Sequence, residues 1–181
     1  MTVLMCVQTV TKMKFESGII RRLAIGLPIT ALAIFLDQLS KRLVLTELPD
    51  AREGRVPVLP FIDFVVTWNH GVSFSMGTGT NYDRLIFAAL AVVVSAALVL
   101  WMAKGAKPLI LVALGMVAGG AVGNCIDRVR YGAVEDFIYA HAGTLAFPAV
   151  FNVADSAICV GAALMVFDSL FDRPLSHKNT P

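Results

Sequence analysis

Charge is scarce in this chain. Lysine, arginine, aspartate and glutamate make up 15% of the 181 residues, while 57% are hydrophobic. Soluble domains carry about 25% charged residues, so an ordinary water-soluble globule is excluded. The net charge is only +2, and no nucleic-acid partner is expected. Cysteine and histidine are equally sparse, at three each. Cys6, Cys125 and Cys159 have neither CxxC nor Cys/His spacing, which argues against a disulfide framework or a thiolate metal site. His70, His141 and His177 form no HExxH or comparable set, so a metallopeptidase is not expected. Ser73 and Ser75 lie in a Gly-containing stretch without the Gly-x-Ser-x-Gly context of a nucleophile elbow. Internal repeats are not evident.

What the chain has is long apolar runs. A membrane span needs about 20 mostly apolar residues. Leu85–Ala103 is free of charge, and Pro108–Ile126 carries only Asn124 as a strongly polar side chain. Leu23–Val44 and Leu145–Phe167 also qualify, with polar residues near one end. The fold class is therefore an α-helical integral membrane protein, a four-transmembrane-helix bundle. Lys12, Lys14, Arg21 and Arg22 precede span one without a small-residue cleavage site behind the apolar run, so this end reads as an anchor rather than a removable signal. Lys/Arg counts in short flanks set the orientation. The leader, Lys104 and Lys107 between spans two and three, and Arg173 and Lys178 after span four share one side, so both termini are expected to be cytoplasmic. Arg52, Arg55, Arg128 and Arg130 on the other side run against that count. The expected division is a basic cytoplasmic leader (1–22), a membrane domain (23–170) and a cytoplasmic tail (171–181). Within the membrane domain, residues 45–84 hold Phe61–Trp68, rich in aromatic and β-branched residues, which reads as a strand of a small extracytoplasmic β element.

An ionisable group inside a span costs on the order of 2.5–3.5 kcal/mol on insertion scales, so it reads as functional by default. Here such groups converge at one depth. Asp37 and Lys41 lie near the outer end of span one, Asn124, Asp127 and Arg128 at that of span three, and Asn152 and Asp155 at that of span four. Asp136 sits in the connection between spans three and four. Asn124/Asp127 and Asn152/Asp155 are three apart, so each Asn shares a helix face with its Asp. Asp37 and Lys41 are four apart, an ion-pair spacing that serves either structure or substrate contact. Asp127–Arg128 reads as an interfacial pair orienting the loop that bears Asp136. Asp136 and Asp155 lack an obvious local cation. Two such acids sharing a proton across a water would form a hydrolytic pair, one as general base and the other polarising a carbonyl. The competing reading is a small proton- or ion-coupled transporter using the same acids, although such sites usually lie at the midplane between repeats. Gly115, Gly119 and Gly123 form a small-residue face for close helix approach.

Five segments occur in order: Asp37-Gln-Leu-Ser-Lys41, Asn69-His-Gly71-Val-Ser-Phe74, Gly123-Asn-Cys-Ile-Asp-Arg128, Val134-Glu-Asp-Phe137 and Phe151-Asn-Val-Ala-Asp155. Together they resemble the bacterial lipoprotein signal peptidases (signal peptidase II) over roughly residues 25–167. The resemblance implies an intramembrane aspartyl endopeptidase of the bacterial inner membrane, acting near the outer face. It would remove signal peptides from diacylglyceryl-modified prolipoproteins, with globomycin-type cyclic peptides as inhibitors. Asp136 and Asp155 would be the catalytic dyad. Asp37, Lys41, Asn69, Gly71, Asn124, Asp127, Arg128 and Asn152 would support the site or hold substrate. No metal or other cofactor is implied. Membrane lipids are the surrounding partners, and one chain supplies every proposed site residue, so a monomer suffices. Val72-Ser73 stands where the family often has Ala-Ala, and the leader is longer than the family requires.

Overall fold

The computed structural model describes residues 2–71, 81–142, 145–146 and 149–171, and side chains within 16–71, 84–142 and 149–171. The Val72-Ser73 departure, Ser75 and the basic tail residues Arg173 and Lys178 lie outside the described residues. The elements in order are helix α1 (Thr2–Glu47), a 3₁₀ turn (Pro49–Arg52), strands β1 (Val56–Leu59) and β2 (Ile62–Asn69), helices α2 (Asn81–Lys104) and α3 (Pro108–Tyr131), strands β3 (Val134–Ala142) and β4 (Leu145–Ala146), and helix α4 (Val153–Phe171).

Among the described residues, four helices are long and apolar enough to cross a membrane: Glu16–Glu47, Arg84–Lys104, Pro108–Tyr131 and Val153–Phe171. Their outward faces carry Leu32, Phe35, Ile86, Val93, Leu100, Val160 and Leu170, all well exposed. The buried set includes Asp37, Lys41, Asn124, Asp127 and Asn152. Apolar outside and polar inside is the arrangement hydrocarbon demands, because a polar group facing lipid has no water to satisfy it.

Helix α3 is the centre of the bundle. More than half of its membrane window is buried, 56% against 6% for α1, and it packs on α1, α2 and α4. Glycine makes those approaches possible. A methyl group on Gly115 would fall 2.7 Å from Gly26 O, and one on Gly119 would fall 2.6 Å from Ala33 Cβ, both on α1. The neighbouring Gly120 faces α4 instead, where a Cβ would collide with Ala154 O. The expected small-residue face thus exists and is two-sided.

At the site end, β1, β2 and β3 form an antiparallel sheet, with the two-residue β4 extending the β3 edge. The sheet rests on the end of α1 through Phe137, which is buried with Val44 and Ala51 and meets Phe64 edge-on at 5.3 Å. Two expectations need correction. Asp136 lies on strand β3, not in a loop, because Val134-Glu-Asp-Phe-Ile-Tyr139 alternates along an extended chain paired to β2. The fourth span starts at Val153 rather than Leu145. Leu145–Ala146 is strand, and Phe151 exchanges backbone hydrogen bonds with Ile138 (Ile138 N to Phe151 O, 2.7 Å; Phe151 N to Ile138 O, 3.0 Å). An apolar run reports hydrophobicity, not conformation.

Candidate active site

The clasp between Ile138 and Phe151 sets the geometry, for it holds β3 beside the residue that begins α4. Asn152 is the N-cap of that helix and Asp155 its N3 residue. Asp155 N donates to Asn152 Oδ1 (2.8 Å), and Asn152 N donates to Asp155 Oδ2 (3.3 Å). This is the reciprocal arrangement of a capping box. Three-residue spacing therefore does double service: it starts the helix and fixes the Asp155 carboxylate at the mouth of α4.

Asn152, fully buried, then reaches across to the strand. Its Nδ2 donates to Asp136 Oδ1 at 2.7 Å, to Asn124 Oδ1 at 3.1 Å and to Glu135 O at 3.2 Å. Asn124 Nδ2 in turn donates to Asp155 Oδ1 at 2.8 Å. Asn69, diagonal to Asp136 on the same face of the β2–β3 pair, donates to Asp136 Oδ2 at 3.1 Å. Asp136 and Asp155 therefore share one amide neighbour, and each has a further asparagine of its own. Burial pushes the Asp136 carboxyl up to about 6, with the Asp155 charge adding to the rise and the Asn69 and Asn152 hydrogen bonds opposing it.

A second layer backs this one. Lys41 Nζ lies 2.8 Å from Asp37 Oδ2 and 2.6 Å from Asp127 Oδ2, and also donates to Asn124 Oδ1 at 3.3 Å. One cation between two buried carboxylates leaves an excess negative charge. Asp37 Oδ1 accepts from Ala154 N in the first turn of α4 (2.9 Å), where the helix dipole is positive. Gln38 Nε2 bridges the acids, at 3.1 Å from Asp37 Oδ2 and 2.9 Å from Asp127 Oδ1. Gly123 gives Asp37 its room, since a Cβ there would fall 2.6 Å from Oδ2.

All ten residues picked from the sequence lie in this region, but two pairings differ from expectation. Asn124 serves Asp155 across the helix interface rather than Asp127 on its own helix. Asp127 pairs with Lys41 and accepts from Glu135 N (3.3 Å), so it is not the partner of Arg128. Arg128 instead donates to Asn124 O (3.4 Å) and places its guanidinium over the Phe87 ring (5.3 Å). Gly71 donates its N–H to Asn69 Oδ1 (3.0 Å) with φ of 118°, and a Cβ there would press on Phe87 at 2.7 Å. Sequence reasoning missed Gln38 and Glu135. Glu135 is buried, and burial together with the Asp127 charge raises its carboxyl to about 7. An acid between Val134 and Asp136 in an otherwise apolar strand was its available signal.

Comparison with known proteins decides the family. Residues 29–171 match the family described as Signal peptidase (SPase) II. The chain belongs to that family. It is 42% identical over 146 residues to the lipoprotein signal peptidase of Rhodopseudomonas palustris, a match covering 78% of this chain and 89% of that one. With the lipoprotein signal peptidase of Caulobacter vibrioides the identity is 38% over 157 residues, covering 85% and 92%. Among solved structures, a bacterial membrane enzyme determined by the in meso method at 2.3 Å resolution superposes with a TM-score of 0.73 at 26% identity, covering 88% of this chain and 95% of that one. This signal peptidase II is an aspartic endopeptidase and a multi-pass protein of the inner membrane.

Proposed function

We propose that Asp136 and Asp155 are the catalytic pair, and that they activate a water to remove the signal peptide from prolipoproteins bearing a diacylglyceryl-modified cysteine. The observation that carries this is Asn152, whose side chain and backbone N–H bind one carboxylate each. Asp155 is the general base that takes a proton from the attacking water. Asp136, which keeps its proton up to about 6, polarises the scissile carbonyl and then protonates the leaving amine. Lys41 holds Asn124 behind them. The Lys/Arg distribution supports cytoplasmic termini and a site near the outer face, where a signal helix leaves the bilayer. A globomycin-type cyclic peptide would occupy the same site, and a single chain supplies every group.

The test is a gel-shift assay of purified enzyme on a diacylglyceryl-modified prolipoprotein. Wild type cleaves, while Asp136→Asn and Asp155→Asn, each still folded, do not. Cleavage surviving in either variant moves the chemistry to another acid, Asp127 first.

A further inference from the structure

A cleft of about 680 Å³ opens between α1, α3 and the 3₁₀ turn. Its lining includes Lys41, Asp127 and Glu135 but neither Asp136 nor Asp155, nor any of the three site asparagines. Residues on a strand alternate between faces, so Glu135 looks into this cleft while Asp136 serves the other side. Three arginines from three elements converge on it: Arg42 from α1, Arg52 from the 3₁₀ turn and Arg130 from α3. All three are exposed, and among the described residues none is paired with a carboxylate. Among the described residues Arg130 donates to the Gln38 amide oxygen (3.4 Å), and Arg52 to the backbone carbonyl of Leu45. The acids beside the lining offset them only in part: Asp127 shares Lys41 with Asp37, an excess of one negative charge against three arginines, and Glu135 holds its proton up to about 7.

The cleft is also amphipathic along the membrane normal. Phe35, Leu39 and Arg42 follow at i, i+4 and i+7, so one stripe of α1 turns from apolar to cationic over about 10 Å. Ile34 and Leu45 widen the apolar wall. A free anion would use the arginines and leave that wall idle, whereas a membrane lipid uses both.

The geometry points to a phospholipid site in this cleft: an anionic headgroup phosphate between Arg42, Arg52 and Arg130, with an acyl chain along Phe35 and Leu39. Cations that would otherwise oppose the positive-inside distribution on this side thereby acquire a use. The site lies behind the Lys41 layer and is distinct from the Asp136–Asp155 site assigned to the peptide.

Native mass spectrometry of the full-length enzyme in detergent, delipidated and re-supplied with dioleoyl-phosphatidylglycerol or dioleoyl-phosphatidylcholine, tests it. Wild type retains phosphatidylglycerol in preference. Each arginine near a membrane surface is worth about five-fold in binding, so Arg42→Gln/Arg52→Gln/Arg130→Gln weakens retention on the order of a hundred-fold. The matching triple lysine variant, which keeps the charges, holds most of it and guards against misfolding as the cause. Equal retention of the two lipids, or of phosphatidylglycerol by wild type and the glutamine variant, would overturn the site. Displacement of the lipid by equimolar glycerol 3-phosphate would overturn its assignment to a membrane lipid.

Discussion

Replacing Asn152 separates what this residue does for the helix from what it does for the acids. Asn152→Ala removes the N-cap of α4, which costs about 1 kcal/mol. It also withdraws a donor from Asp136 Oδ1 and Glu135 O, while Asn124 Oδ1 keeps the Lys41 ammonium; one buried acceptor left without a partner costs about 1–3 kcal/mol. A destabilisation of roughly 2–4 kcal/mol follows. Asn152→Ser restores a capping oxygen but is too short to reach Asp136, so it recovers the cap's share and nothing of the site. The distinguishing readout is the pH profile. The wild-type limb that reports loss of the Asp136 proton centres on about 6. Because the Asn152 hydrogen bond lowers that value, its removal shifts the limb to higher pH in both variants. Melting in detergent gives the stability arm, and kcat/KM against pH on a lipidated peptide gives the other. If Asn152→Ser matched wild type in turnover and pH profile while Asn152→Ala lost only stability, Asn152 would be a helix cap and no more.

Other outcomes follow from the same contacts. Lys41→Met strands Asp37 and Asp127 without their cation, and breaking a buried pair in this way costs about 3–5 kcal/mol, read as a fall in melting temperature. Gly123→Ala drives a methyl group onto Asp37 Oδ2 and costs about 1–3 kcal/mol of overpacking, while Gly54→Ala, which meets nothing within 4 Å, leaves melting unchanged. Glu135→Gln acts with a defined sign. The folded carboxyl is raised from 4.5 to about 7, so wild type loses stability as pH rises through that interval, by up to about 3 kcal/mol. The glutamine variant therefore gains on wild type above pH 7, in melts across pH 4–8, and the gain disappears near pH 4.

The membrane spans were legible because hydrocarbon imposes length and apolarity on any sequence that crosses it. The depth at which Asp37, Asn124 and Asp155 meet was legible for the same reason, since each lies near the same end of its span. Spacing was less informative about partners. It places Asn124 and Asp127 on one face of α3, but a buried face looks toward neighbouring helices, and there Asn124 meets Asp155 while Asp127 meets Lys41. Gln38 escaped notice because an uncharged side chain carries no large insertion cost, although it joins both acids of the second layer. The run from Leu145 to Asn152 was read as helix on hydropathy alone. The backbone of Leu145, Ala146 and Phe151 is instead engaged by β3, and only the fold makes that pairing visible.

The placement of α4 has a consequence for the order of synthesis. Everything on the strand side, from Asp37 through Asp136, has left the ribosome before Val153 does. Until the last span arrives, Asp37 Oδ1 lacks the Ala154 N–H, Gly120 faces no partner, and Asp136 lacks both Asn152 and Asp155. The nascent chain thus carries one acid of the proposed pair without the other, and the docking of the final helix completes the site. On the proposed mechanism, a chain that stalls or is cut short before that point lacks its general base and cleaves nothing.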